Sequence, residues 1–229
     1  MNDHDICYYN YHISHKYNME YVNYINKIIS VDINDFSNMF NELFDQKYII
    51  SVLAKCYKRS NIKVKFDESL NSGEDLLFNL NYLKECKSLS LVPYSIYNYQ
   101  QFFTNSLSSN NKDKSDQFYK VYDNSIRICN ELFKNENKYK CITNKYVLDQ
   151  LNEIEKKIRY KHNYGYDDMV DDISIMNIDK LCMNNDIHVN NKKWDRAVSL
   201  VSNKSYHSLF IYLKLYKLLG LVKHKIMVR

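Results

Sequence analysis

Glycine and proline are nearly missing from this chain: of 229 residues, three are Gly and one is Pro. That scarcity argues against an all-β protein built on tight turns and against long flexible linkers. No C-x-x-C pair occurs among Cys7, Cys56, Cys86, Cys129, Cys141 and Cys182. The cysteines therefore read as reduced, mostly buried thiols of a cytosolic protein, with no zinc site. His12 and His15 stand three apart, yet no acid or thiol joins them at a metal-binding spacing, so no metal site is expected within the chain. The N-terminal MNDHDICYYNY lacks a basic segment followed by an apolar run, and no uninterrupted apolar stretch reaches the ~18–20 residues of a spanning helix. Acids are missing from residues 203–229, where Lys204, Lys214, Lys217, Lys223, Lys225 and Arg229 lie. Without those six, 26 basic residues face 27 acidic ones, so a neutral body carries a basic tail. A nucleic-acid binder more often carries its basic patch on the folded body, and no nucleic-acid partner is expected.

What is present is enough apolar material, 45% of residues, for a sizeable core: one domain with an extension, or two small ones. The 22 tyrosines accompany an excess of Asn, Lys and Ile, the mix that AT-rich codons supply. Asp5 to Tyr11 reads as an aromatic strand, and a short strand is expected near Tyr24 to Ser30. Phe36, Met39, Phe40, Leu43 and Phe44 then form one apolar helical stripe, capped by Asn34 or Asp35. Lys55, Lys58 and Arg59 follow an apolar run and read either as a solvated face or as a site for an anionic group.

The stretch FDESLNSGEDLLFNLNYLKEC, residues 66–86, is a turn emptying into a helix, with Leu76, Leu77, Leu80 and Leu83 at helical spacing. Ser72-Gly73-Glu74-Asp75 fits a capping box, with Asp75 reaching back to the amide of Ser72. It also fits a pair of acids held at a rigid helix start, one a general base. Both readings stay open. Beyond it, Leu89 to Tyr99 alternates as a strand bent or interrupted at Pro93, at or near a sheet edge. Helices are expected around 118–133, 147–158 and 168–183. Asp167, Asp168, Asp171 and Asp172 are dipole-compatible charges or a paired-carboxylate cluster. Residues 205–229 form either a helix packed on the body, hiding Leu209, Leu213, Tyr216 and Leu219, or an interfacial helix on anionic lipid.

The order of these signals from Tyr48 to Ser108 resembles the acceptor-side half of bacterial family 2 glycosyltransferases, GT-A-type enzymes of cell-surface polysaccharide synthesis. Ala54-Lys55-Cys56-Tyr57-Lys58-Arg59 with Asn61-Ile62 is similar to the family's tryptophan-x-lysine-leucine-tyrosine-lysine-arginine stretch, departing at Ala54 and Cys56. Ser72-Gly73-Glu74-Asp75 matches its Gly-Glu-Asp helix start. Ile96-Tyr97-Asn98-Tyr99, with Asn105 to Ser108, looks like its tyrosine-x-tyrosine strand and serine loop.

The resemblance implies an α/β protein: a partial GT-A-like sheet with helices over residues 1–110, a helical extension over 111–202 and a basic amphipathic tail over 203–229. It implies transfer of a sugar from a nucleotide sugar to a polysaccharide or lipid-linked acceptor. Asp75 would be the general base, Glu74 and Gly73 would shape the loop, and Lys55, Tyr97 and Tyr99 would meet substrate. Full-length members carry an Asp-x-Asp motif for Mg or Mn in a nucleotide-binding half that should precede residue 5. Asp3-His4-Asp5 has that spelling, but it adjoins the strand expected well after the motif and reads as coincidence. The expected place is the cytoplasm, with the tail on the inner membrane face as one option. The rival reading is a non-catalytic binding or scaffold remnant, or the partner of a separately encoded nucleotide-binding half.

Overall fold

The structure is a computed structural model that describes residues 4–15, 17–100, 115–188 and 191–227. The chain divides into two compact units, Met1–Cys141 and Ile142–Arg229. Within the first unit, helix α4 (Ser115–Phe133) packs on α3 (Glu74–Leu83), bringing Val121 against Gly73.

The first unit is built on a five-stranded mixed sheet in the order β2-β1-β5-β3, with β4 also pairing β1. Strand β1 (Ile6–Ser14) runs parallel to β5 (Ser88–Gln100), and pairs antiparallel with β2 (Met19–Val22) and β4 (Lys55–Tyr57). β3 (Ile29–Asp32) pairs with the first half of β5, which is therefore interior there and not at an edge. The proline is accommodated by a bulge: Tyr9 pairs with Val92 but Asn10 pairs with Ser95. Buried Asn10 holds that irregularity. Its Nδ2 donates to the carbonyls of Ile25 (2.8 Å) and Pro93 (3.1 Å), and its Oδ1 accepts from the Tyr48 hydroxyl (2.7 Å).

The expected single helix over 36–44 is two. α1 (Ile33–Phe36) is capped by Asp32, whose carboxylate accepts from Asn34 N, and α2 (Phe40–Asp45) follows a turn. Phe36, Phe40, Leu43 and Phe44 still share one core, with Phe36 stacked against Tyr8. The apolar spacing survives the turn because the burial does.

Asp5 ties the start of β1 to its neighbours. Its Oδ2 accepts from the amides of Lys87 (2.7 Å) and Ser88 (3.1 Å), and its Oδ1 accepts from Asn61 Nδ2 (2.9 Å) beside Lys58 (3.8 Å). Burial alone would raise this carboxyl; the two amides, Asn61 and Lys58 outweigh it and hold it below its ordinary value. A carboxyl depressed in the folded state contributes stability that is complete above the unfolded value of about 3.9 and is lost as pH falls through the folded one. Asp5→Asn should therefore cost about 1–3 kcal/mol at pH 7 in urea titrations, and the gap to the native protein should narrow below about pH 4. A gap that stays constant down to pH 3 would contradict this.

The second unit is helical: most of α5 (Lys140–Tyr160), α6 (Tyr166–Ile175), α7 (Ile178–Asn184), α8 (Lys192–Ser202) and α9 (Tyr206–Met227). The helix expected over 168–183 breaks at Asn177, which has φ 53°. Two of the four clustered aspartates have structural partners within this unit. Asp168 accepts from Gly165 N at 2.7 Å, capping α6, and Asp172 binds Lys157 (2.9 Å) and the Tyr164 hydroxyl (2.5 Å). Leu209 and Leu213 of α9 are fully buried and Tyr216 half-buried, as a packed helix requires. Leu219 and the rest of the tail's side chains lie outside the described residues. Among the described residues no helix is long and apolar enough to cross a membrane.

Candidate active site

The site is assembled where α3 meets the chain between Ile49 and Tyr57. Gly73 precedes α3 with φ 86° and ψ 0°, a conformation that glycine adopts freely. Its position as the N-cap removes the expected capping box: no side chain caps the helix, and Asp75 does not turn back to Ser72. Instead Asp75 Oδ2 accepts from the amide of Val52 at 3.2 Å, 23 residues away in sequence. Its Oδ1 takes no hydrogen bond from the described residues, and the side chain is half-buried. Glu74 beside it has Oε2 buried without a hydrogen-bond partner among the described residues.

One turn on, Asn79 is completely buried and fully engaged. Its Nδ2 donates to the carbonyls of Ile49 (2.8 Å) and Ser51 (2.9 Å), and its Oδ1 accepts from the Tyr57 hydroxyl (2.6 Å). Residues four apart share a helical face, so Asp75 and Asn79 together grip the 49–52 segment. Lys55 folds under the same segment. Its Nζ donates to the carbonyls of Ser51 and Leu53 (3.1 Å), and lies 5.2 Å from the Tyr8 ring centroid. Burial pushes the Lys55 amine down to about 7, and the Asp75 charge pulls it back only in part. Burial, then the charge of Asp75, pushes the Tyr57 hydroxyl up.

Gly73, Glu74, Asp75 and Lys55 are thus brought together. Lys55 is neither a solvated face nor separate from the acids. Lys58, its partner in the expected cluster, is drawn off to Asp5. Tyr97 and Tyr99 stand elsewhere, opposite Tyr11 and Ile13 on β1. Since Lys55 is opposite Tyr8, Tyr97 sits roughly 10 Å further along the sheet, and it is exposed. Residues 105–108 of the expected serine loop lie outside the described residues. Asn79, Tyr57 and Val52 are the participants that sequence reasoning missed. An Asn four after Asp75 within an otherwise apolar helical face was the available signal.

Asn79→Ala would strand the Tyr57 hydroxyl and two carbonyls in the interior. The expected loss is about 2–4 kcal/mol in urea unfolding, with faster hydrogen exchange at the Val52 amide. An unchanged Val52 exchange rate would show that α3 does not hold this segment.

A full GT-A enzyme would bring a divalent metal, and the described residues do not fit one. They contain no group of three or more His, Cys, Asp or Glu side chains that could hold an ion, and the carboxylate oxygens of Asp5 are already engaged by donors. His12 is on β1 against Tyr21, and His15, just past the end of that strand, is against Glu20.

No protein-family model matches the sequence, and no curated protein does. Among solved structures the chain is similar to residues 1–349 of TarS from S. aureus, crystallised in complex with UDP-GlcNAc. The superposition has a TM-score of 0.59 at 15% identity and covers 93% of this chain. The fold is GT-A-like. At this identity the likeness is one of fold. The chain spans 60% of the TarS chain it matches.

Proposed function

We propose that the first unit carries the acceptor side of a family 2-type sugar-transfer site, with Asp75 as the general base. The observation that supports this most directly is the division of labour within one carboxylate. Oδ2 is fixed by the Val52 amide, while Oδ1 meets no donor among the described residues at a rigid helix start. Oδ1 would take the proton of an acceptor hydroxyl as that oxygen bonds to the anomeric carbon of a nucleotide sugar. The bond from that carbon to the phosphate oxygen breaks, and its electron pair leaves with the nucleotide. Glu74 and Gly73 would shape the loop beside the base. Lys55 would set the height of the 51–53 carbonyls and the charge beside the base. The exposed Tyr97 ring and its neighbour Tyr99 would offer an aromatic surface to the glycan.

The fold likeness makes a UDP-sugar the first donor to try. The test is UDP release from UDP-GlcNAc and other UDP-hexoses in the presence of cell-envelope glycan acceptors. Release that depends on an acceptor supports transfer. Failure of every donor to bind or react would remove the reading.

The Val52 contact also suits a second reading, in which Asp75 only anchors the 49–53 segment of a non-catalytic glycan-binding module. Glycan binding without donor turnover, unaltered in Asp75→Asn, is its signature.

A further inference from the structure

Cys7 and Cys56 face each other directly across the antiparallel pair β1 and β4. Directly opposed residues project from the same face of the sheet. The bonds on either side, Tyr9 N to Ala54 O (2.9 Å) and Lys58 N to Asp5 O (2.9 Å), make theirs a hydrogen-bonded pair. Such pairs have Cα atoms about 5.5 Å apart, inside the span of roughly 4.4–6.8 Å that a disulfide bridges. Both thiols are free. The face is the outer one: half-buried Cys7 and Tyr9 alternate with buried Ile6, Tyr8 and Asn10, and Cys56 is exposed. The other four cysteines are buried. Tyr9 lies two residues along β1 from Cys7 and so projects from the same face. Lys55 and Tyr8 belong to the opposite face, so the sugar-transfer reading uses neither thiol.

We propose that Cys7 and Cys56 are a reactive thiol pair for low-molecular-weight disulfides of the glutathione type, closing to an intrachain disulfide that ties β4 to β1. Cys56, the exposed member, is the attacking thiol. Its thiolate bonds to one sulfur of the small disulfide and expels the other half as a thiolate, which takes up the proton that Cys56 gave up. The Cys7 thiolate then attacks Cys56 Sγ and breaks the mixed disulfide, and the second small thiolate leaves and takes the Cys7 proton. Two protein thiols are oxidised and one small disulfide is reduced to two thiols. Proximity favours the second step, because the resolving sulfur is already opposite its target. Burial, then the neighbouring Cys56, holds the Cys7 thiol above its ordinary value, so the exposed Cys56 is the first to react. The closed pair would hold β4, and with it the residues just before it that contact Asp75, in one register.

The test is incubation of the native protein with oxidised glutathione, alkylation of the remaining thiols and mapping of every cysteine by peptide mass spectrometry. The expected product is lighter by two hydrogens, retains no glutathione and links the Cys7 peptide to the Cys56 peptide; dithiothreitol restores both thiols. Cys7→Ser should instead retain one glutathione on Cys56. Glutathione retained on Cys56 in the native protein with Cys7 still alkylatable, a link from Cys56 to any other cysteine, or no reaction at either thiol would overturn the proposal.

Discussion

Gly73→Ala should destabilise the protein by about 2–4 kcal/mol, and most of that loss should vanish once Val121 is shortened. Two independent costs meet at this position. With φ at 86°, an alanine carries a left-handed penalty of about 1 kcal/mol. A Cβ there would also lie 2.7 Å from Val121 Cγ1 and 2.8 Å from Cγ2, well inside contact distance. A β-branched side chain in a helix has one strongly preferred rotamer, so Val121 cannot swing away and α4 itself must shift. Overpacking of this kind typically costs about 1–3 kcal/mol. The two parts separate in a Val121→Ala background, where Gly73→Ala should cost only about 1 kcal/mol, the backbone share. Gly73→Asn tolerates the left-handed backbone better and reports the steric share alone. Equal costs in both backgrounds by urea unfolding would mean that Val121 is not what the new methyl meets.

That contact also shows why part of the site could be read from the sequence and part could not. The helix 74–83 and its apolar face were legible because Leu76, Leu77, Leu80 and Leu83 repeat at a period that only a helix buries. The role of Asp75 was not. Ser72 through Asp75 spells a capping box, a local pattern, but Gly73 in the left-handed region starts the helix one residue too late for Ser72 to cap it. The carboxylate then finds Val52, and a partner that far away leaves no spacing to recognise. Lys55 misled in the same way. Beside Lys58 and Arg59 it resembled one more solvated cation, whereas its neighbour across the sheet, Tyr8, draws it inward. Cys7 and Cys56 seemed scattered because strand register alone sets them opposite each other. At Pro93 the sequence signalled a break in the ladder near a sheet edge, and the two-residue bulge fulfils it just past Leu91, where the pairing of β3 with β5 ends.

Asp75→Asn is expected to lower sugar transfer by roughly 10²–10⁴-fold, the usual worth of a general base, while changing stability by no more than about 1 kcal/mol. The asparagine side-chain oxygen can still accept from Val52, so the 49–52 segment stays in place. Asp75→Ala removes the base and the anchor together and should lose both transfer and stability. The pair of variants therefore separates proton transfer from positioning. If Asn is active and Ala is not, the carboxylate only holds Val52, and the general-base role is wrong.

Lys55 supplies a readout that needs no substrate. Its folded-state value of about 7 lies below the unfolded value of about 10.4, so between these the unfolded chain binds more protons and stability rises with pH. The Asp75 charge raises the Lys55 value, and losing it in Asp75→Asn should push that value lower still. The rise in urea midpoint should then begin at a lower pH in the variant than in the native protein. If it begins at the same pH in both, Asp75 and Lys55 do not share the electrostatic environment on which this site depends.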